Sequence, residues 1–205
     1  SLLPVKKARL IDHQIKAIRN AFEKIEIIIC TGFESEKINK YIRTTYSDIN
    51  VRVVENQLFT QTNSCESLRL ALNNINNKNL FIIDGSLLFT NKALQCCQLL
   101  NSTVYIEDKC SDQFEVGVNV NELKSVEYFC YGASKGWSEI IFLKGDDTIE
   151  CLRRIISTEN YRTKFVFEAL NELIKIKKNI YAVKNRAKIQ KINNIKIYHD
   201  LKGSK

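Results

Sequence analysis

The sequence contains no methionine, one proline, one tryptophan and two histidines, and its seven cysteines include no CxxC pair. With so few histidines and no paired cysteines, a structural zinc site is not expected, and we interpret the cysteines as reduced, structural thiols. No apolar run reaches the roughly 20 residues of a membrane-spanning helix, and the N-terminus lacks a signal-peptide pattern. These features predict a soluble, cytoplasmic protein.

The 205 residues are 44% hydrophobic and 26% charged, which is typical of a globular chain with a substantial core. The sequence has no internal repeat and no linker, so we expect a single domain over residues 1–205. The chain opens directly on Leu2-Leu3-Pro4-Val5, with no strand before it. Together with the missing methionine, this opening predicts a processed or truncated piece of a longer protein.

The net charge of +8 is concentrated at the C-terminal end. Residues 162–205 hold 12 Lys or Arg against 3 Asp or Glu, whereas residues 1–161 hold 19 against 20. Such a basic region favours anions, and a small phosphorylated ligand, RNA and an acidic partner protein fit it equally well. A solvated lysine-rich surface explains the same charge without any ligand.

Helical and strand periodicities alternate along the first half of the chain, and the predicted strands are continuous apolar runs. Helices are predicted over residues 11–22, 35–42 and 67–75, and strands over 25–30, 51–54 and 80–83. Continuous apolar strands between helices indicate a sheet that is covered on both faces, as in open α/β folds with mostly parallel strands.

The second half has a different pattern, because its strands alternate between apolar and polar residues. Residues 115–120 and 126–131 predict half-exposed strands suited to an antiparallel extension of the sheet. Helices are predicted over residues 146–156 and 164–176, and short strands over 180–183 and 195–198.

Polar residues follow several predicted strands, where ligands bind in open α/β sheets. Thr31 and Gly32 directly follow a predicted strand. Gly32 would let a ligand approach the backbone, although a plain tight turn also explains the glycine. A dense polar stretch precedes the third helix and could present amides and hydroxyls to a base or sugar; its candidate residues are Thr62, Asn63, Ser64 and Ser67. A helix cap would need only one of these residues.

Two carboxylates are candidate ligands of Mg²⁺, a hard ion that takes one or two protein oxygens together with phosphate oxygens and water. Asp84 follows the strand at 80–83 directly, and Asp200 follows the predicted strand at 195–198. If the fold brings them together, they form a metal site. An Asp-Gly turn at Asp84 and a surface turn at Asp200 are the simpler alternatives.

In the order of these candidate sites along the sequence, the chain resembles the nucleotidyltransferase family, especially its sugar-phosphate and phosphocholine cytidylyltransferase branch. Leu2 to Val5 and Leu10 to Ile15 resemble that family's LLPV and PLIDHQI segments, and Ile27 to Phe33 its IIVxGY strand and turn. Further similar segments are Thr62 to Leu68 (TNNxxSL), Phe81 to Phe89 (FLIxDGDxLF), Trp137 to Ile140 (the acceptor-side GE segment) and Ile197 to Asp200 (WxEID).

The resemblance implies a Rossmann-like open mixed sheet of the nucleotidyltransferase (GT-A-like) type, with helices on both faces and a small antiparallel extension. It implies transfer of a nucleotidyl group from an NTP, with CTP favoured, to a sugar phosphate or phosphocholine-like acceptor, with Mg²⁺ and release of pyrophosphate. On this basis Asp84 and Asp200 hold the metal, and Lys184 supplies a catalytic cation. Trp137 and Glu139 contact the acceptor, and the nucleotide contacts are Thr31, Gly32, Thr62, Asn63, Ser64 and Ser67.

The sequence departs from the family pattern at two places. The glycine-rich GxGxR loop and the lysine before LLPV would precede Ser1, and Ser86 stands where the family usually has the second carboxylate of DGD. These departures motivate a second hypothesis, a catalytically inactive relative kept for binding or regulation. A third hypothesis is a nucleic-acid-binding α/β module that uses the basic C-terminal region.

Overall fold

The computed structural model describes residues 2–73, 75, 78–95, 99–185 and 187–203 as a mixed α/β protein. Its strands are β1 (Pro4–Val5), β2 (Ala8–Arg9), β3 (Ile27–Thr31), β4 (Val51–Glu55), β5 (Asn79–Ile83), β6 (Leu87–Leu88), β7 (Thr103–Glu107), β8 (Val116–Val120), β9 (Val126–Tyr131), β10 (Lys135–Lys144), β11 (Tyr181–Lys184) and β12 (Gln190–Lys191). Its helices are α1 (Leu10–Ala21), α2 (Ser35–Thr45), α3 (Ser64–Ala71), α4 (Asn91–Leu94), α5 (Asp146–Ile156), α6 (Val166–Lys175) and α7 (Ile195–Gly203), with a 3₁₀ turn at Glu159–Tyr161.

The chain divides into two compact units, each built from separate stretches of sequence. The first comprises Ser1–Glu23, Leu80–Lys144 and Asn179–Lys205, and the second comprises Lys24–Asn79 and Gly145–Lys178. Each unit is therefore formed by segments that are far apart in the sequence.

A mixed sheet forms the centre of the first unit. Its strand order is β11-β7-β10-β8-β9, and β5 also pairs with β10. The pairs β10–β7, β10–β8 and β8–β9 are antiparallel, and β11–β7 is parallel. The predicted mixed sheet with an antiparallel extension at 115–120 and 126–131 is confirmed, and the long central strand β10 is an addition that the sequence did not predict.

The core of the first unit is rich in aromatic rings. Phe81 stacks at a tilt between Phe22 and Phe142, with ring centroids 5.2 and 4.9 Å apart. Tyr105 is fully buried and its hydroxyl donates to Leu94 O at 3.0 Å. This core joins β5, β7 and β10, and the candidate site lies on β10 and directly after β5.

The second unit packs helices against a parallel strand pair. β3 and β4 pair in parallel with Ile27 opposite Val51 and Thr31 opposite Glu55. The helix α3 contacts both strands and also α5 and α6. It begins at Ser64, three residues earlier than predicted, so the polar residues Ser64 and Ser67 lie in its first turns.

Candidate functional site

The turn after β5 presents Asp84 directly after an apolar strand, as the sequence predicts. Asp84 is exposed, and its Oδ1 accepts hydrogen bonds from the backbone N–H of Ser86 at 2.8 Å and from the Ser86 hydroxyl. Gln14 of α1 holds the other side of the turn, because its Nε2 donates to Gly85 O at 3.2 Å and to Leu87 O at 2.8 Å. The carboxylate is therefore fixed in place before any ligand arrives.

The neighbouring strand β10 bulges at Glu139. β10 advances from Trp137 to Ile141 while its partner moves only from Ile106 to Val104. Glu139 adopts a left-handed backbone conformation with φ of 55°, which is uncommon for a residue with a Cβ. Bulges of this kind re-aim a side chain, and here the backbone carbonyl of Glu139 also accepts the Asp84 N–H at 3.2 Å.

Lys191 completes this cluster, which we call the Asp84 edge and define as Asp84, Ser86, Glu115, Glu139 and Lys191. The Lys191 ammonium lies 2.5 Å from Glu139 Oε1, and the two side chains are only 22% and 15% exposed. Lys191 is opposite Leu87 in the antiparallel pair of β12 and β6. The next residue along, Ile192, donates its N–H to Ser86 O at 2.9 Å.

The electrostatics of Glu139 follow from its burial. Desolvation raises the pKa of the Glu139 carboxyl, and the nearby carboxylates of Asp84 and Glu115 raise it further, while the hydrogen bond from Lys191 opposes them. Among the residues that the structure describes, Oε2 of Glu139 is buried and has no hydrogen-bond partner. A buried acceptor of this kind can receive a hydroxyl or N–H of a ligand.

The second predicted carboxylate, Asp200, does not follow a strand. The prediction of a strand over residues 195–198 is wrong, because these residues open the helix α7. Asn194 begins this helix by accepting the Ile197 N–H on its Oδ1 at 2.9 Å and the Tyr198 N–H on its carbonyl at 3.3 Å. The reason for placing Asp200 beside Asp84 at the sheet edge therefore does not hold.

The Asp84 edge does not fit the predicted Mg²⁺ site. Within the described ranges, no group of three or more His, Cys, Asp and Glu residues is arranged to hold a metal ion. The segment of the C-terminal region that pairs beside Asp84 contributes the ammonium of Lys191 instead of a second carboxylate.

Two other predicted residues of the first unit lie in different surroundings from those expected. Lys184 ends β11 and pairs with Asp108 at 2.7 Å, with both side chains more than 60% exposed. This partner lowers the pKa of Asp108. Trp137 is buried, its indole N–H donates to Ile140 O at 3.2 Å across the bulge, and its ring packs edge-on against Phe129.

The turn after β3 is shaped by packing. The Thr31 hydroxyl shares a 2.8 Å hydrogen bond with the Ser35 hydroxyl, and both residues are buried. A Cβ at Gly32 would lie 2.5 Å from Cβ and 2.6 Å from Cγ of Phe59. The glycine is therefore required by the close approach of Phe59.

The polar stretch at residues 61–67 is organised by Asn56, which sequence reasoning missed. Asn56 is 2% exposed, and its Nδ2 donates to the hydroxyls of Thr62 at 3.0 Å and Ser67 at 3.1 Å. Asn56 directly follows β4. Since polar residues directly after strands are candidate ligand-binding residues in α/β folds, its position in the sequence would have identified it.

The remaining candidates in this stretch support the start of α3. Asn63 Oδ1 accepts the Ser64 N–H at 2.8 Å, and the Ser64 hydroxyl accepts the Val166 N–H at 3.0 Å. The four side chains of this stretch that are predicted to contact a nucleotide are thus engaged within the second unit. Their backbone carbonyls and the unused lone pairs of their side-chain oxygens remain for a ligand.

Asp12, His13 and Gln14, from the segment that resembles the family's PLIDHQI, form contacts that stabilise the fold. Asp12 accepts the Arg9 N–H at 2.8 Å, and the His13 ring lies 3.0 Å from Val5 O. With Gln14 holding the Asp84 turn, three successive side chains tie α1 to β1, β2 and the turn after β5. These residues position the candidate site and need no contact with a ligand.

Many cations of the basic C-terminal region are paired. Lys164, Lys175, Lys178, Lys184 and Lys191 each form an ion pair, with Glu168, Glu172, Asp147, Asp108 and Glu139 respectively. These pairs reduce the positive charge available to a nucleic acid. In the part of the chain that the structure describes, no helix is long and apolar enough to cross a membrane.

Several solved structures that are similar to this chain are named as nucleotidyltransferases or pyrophosphorylases. CTP:phosphocholine cytidylyltransferase LicC from Streptococcus pneumoniae has a TM-score of 0.77 and 20% identity, covering 98% of this chain and 86% of that chain. The nucleoside-diphosphate-sugar pyrophosphorylase from Vibrio cholerae RC9 has a TM-score of 0.76 and 11% identity, covering 98% and 89%. The inositol-1-phosphate CTP transferase from T. maritima has a TM-score of 0.71 and 13% identity, covering 95% and 82%.

These similarities establish the fold, and the predicted nucleotidyltransferase-like architecture is confirmed. No curated protein matches the sequence. Residues 5–109 match the model of a family described as "Domain of unknown function (DUF6564)". Because this match spans more than half of the 205 residues, the chain belongs to the DUF6564 family.

Proposed function

We propose that the protein catalyses nucleotidyl transfer from an NTP to a phosphorylated small-molecule acceptor. The observation that carries the proposal is the Asp84 edge, in which a fixed carboxylate, a buried glutamate and a lysine converge after β5, on a fold whose solved neighbours are nucleotidyltransferases. CTP is the favoured nucleotide, and phosphocholine or a sugar phosphate is the favoured acceptor, by resemblance to the cytidylyltransferase branch.

In this reaction an acceptor phosphate oxygen attacks the α-phosphorus of the NTP in line with the bond to the leaving pyrophosphate. One P–O bond forms and another breaks, so catalysis depends on positioning and on neutralising charge on phosphate oxygens. Lys191 supplies an ammonium for this purpose, and the unpartnered Oε2 of Glu139 accepts a hydroxyl when the acceptor is a sugar phosphate. Lys184 remains a candidate cation once its exposed pair with Asp108 opens.

A second candidate function is nucleotide binding without turnover. Two features favour it: the Ser86 hydroxyl donates to Asp84 where the resembling family has a carboxylate, and Lys191 already neutralises Glu139. Such a protein would retain the fold for recognition of a nucleotide or nucleoside-diphosphate compound.

The experiment that separates the two candidates is product analysis by mass spectrometry. The protein is incubated with each of the four NTPs and with phosphocholine or a panel of sugar 1-phosphates, with and without Mg²⁺. A nucleoside-diphosphate product supports transfer. Binding of an NTP in the same samples without any product supports the second candidate, and failure to bind any NTP contradicts both.

A further inference from the structure

The Asp84 edge contains a cation that the protein itself supplies. The Lys191 ammonium has three N–H donors, and within the described part of the chain Glu139 takes one of them. Backbone contacts fix its strand, since β12 pairs with β6 and the Lys191 N–H lies 3.4 Å from Gln113 Oε1. The fold therefore fixes the backbone of Lys191 at this edge, and the ion pair with Glu139 holds the ammonium there.

One oxygen of each of two carboxylates that could hold a divalent ion is already engaged. Asp84 Oδ1 accepts two hydrogen bonds from Ser86, and Glu139 Oε1 accepts one from Lys191. Asp84 and Glu115 both act electrostatically on Glu139, whose carboxylate pairs with the ammonium of Lys191. A divalent ion bound among these oxygens would be repelled by the ammonium at short range.

We infer that Lys191 takes the place of a divalent cation at the Asp84 edge, and that the protein binds the phosphates of its nucleotide without a metal requirement there. Phosphate oxygens would accept the free N–H groups of Lys191 in charge-assisted hydrogen bonds. The nucleotide part of this inference rests on the proposed function, whereas the exclusion of a divalent ion does not.

The first test measures CTP affinity by calorimetry in Mg²⁺ and in EDTA. We expect the two dissociation constants of the wild type to agree within about two-fold, and Lys191→Gln to weaken binding about ten-fold or more in EDTA, as for loss of a charge-assisted hydrogen bond. Lys188→Gln, which removes an exposed lysine from the same segment, is the matched control and should leave binding unchanged. A loss of about ten-fold or more in EDTA for the wild type would overturn the inference.

The second test needs no nucleotide and uses Mn²⁺ as a paramagnetic probe in amide NMR spectra. We expect no selective broadening of the amides of residues 84–86 in the wild type. Selective broadening should appear in Lys191→Ala and Lys191→Gln and disappear when Glu139→Gln is added, because removal of the ammonium frees the carboxylates. The same spectra report whether each variant is folded.

The outcomes of the two tests are separable. Broadening at residues 84–86 in the wild type, or no gain of broadening in either folded lysine variant, would overturn the inference. If Mn²⁺ behaves as expected and no NTP binds, the proposed function fails while the exclusion of a divalent ion stands.

Discussion

The ammonium of Lys191 lies 2.5 Å from Oε1 of Glu139, joining two residues that are 52 positions apart in the sequence. The contact depends on two local features, the bulge that turns Glu139 out of β10 and the pairing of β12 with β6. The pair is largely buried, so each charge depends on the other for stabilisation.

Replacing Lys191 by glutamine should destabilise the protein by about 2 to 4 kcal/mol at neutral pH, because it leaves the Glu139 carboxylate buried without a counter-charge. The pKa of Glu139 is already raised by burial, and the substitution raises it further. A carboxyl whose pKa is higher in the folded state binds its proton more tightly there, so the stability deficit should shrink as the pH falls through that pKa.

Urea unfolding of the wild type, Lys191→Gln and the control Lys188→Gln at about pH 5 and pH 7.5 measures this effect. A deficit of equal size at both pH values would show that Glu139 is not the group responsible.

Gly32→Ala should cost about 1 to 3 kcal/mol, because the new Cβ would lie within 2.6 Å of the Phe59 side chain close to its backbone. The cost should largely vanish in a Phe59→Ala background. A double-mutant cycle of unfolding free energies measures this coupling. Additive effects would mean that Gly32 is required for a reason other than Phe59.

The buried pair of Glu66 and Arg69 should make the second unit sensitive to acid. Both nitrogen–oxygen distances of this bidentate contact are 2.7 Å, Glu66 is 4% exposed, and the hydrogen bonds from Arg69 lower the pKa of Glu66. The stabilisation is present above the unfolded-state pKa of the glutamate and is lost as the pH falls through its lower folded-state pKa.

Arg69→Met should therefore destabilise the protein by about 1 to 3 kcal/mol at neutral pH and by less in acid. Unfolding curves across this pH range, with Arg43→Met on an exposed helix position as the control, check the prediction. An undiminished deficit in acid would contradict it.

Cys65 should resist alkylation as long as the protein is folded. The residue is fully buried, and desolvation raises the pKa of its thiol to about 12. Iodoacetamide labelling at about pH 8, mapped by mass spectrometry, should modify partly exposed Cys151 before Cys65. Early modification of Cys65 in the native protein would contradict this placement.

The regular elements of the fold were predictable where periodicity was strong. The apolar residues at helical spacing in α1 predicted a helix, and the continuous apolar runs of β3 and β5 predicted strands. Both predictions were correct because burial of one helix face, or of both strand faces, determines the spacing of apolar residues. The half-exposed strands β8 and β9 were likewise visible from their alternation.

The errors came from short segments whose structure is decided by tertiary contacts. Ile195 to Tyr198 has the alternation of a strand, but the cap from Asn194 and the packing of Leu201 make it helical. The strand β10 was obscured by Gly136, Ser138 and Glu139, and the last two lie in the bulge that serves the candidate site.

The candidate site was only partly accessible from sequence. Asp84 was found because it follows an apolar strand, and Glu139 because its segment resembles a family motif. Lys191 carries no local signal, since it is one lysine among many in a basic region and its role arises from the pairing of β12 with β6. Only Lys184 was predicted from the sequence as a catalytic cation, and the structure places Lys184 in an exposed pair with Asp108.

The most direct test of the account is pyrophosphate release from CTP with a phosphocholine or sugar-phosphate acceptor, measured side by side for the wild type, Lys191→Gln and the control Lys188→Gln. Lys191 lies at the candidate site, whereas Lys188 is an exposed residue of the same segment. The account predicts release by the wild type and Lys188→Gln, and a loss of about 100-fold or more in Lys191→Gln, as for loss of a group that stabilises charge on the reacting phosphates. Release that is unchanged in Lys191→Gln, or absent from the wild type with every nucleotide and acceptor, would contradict it.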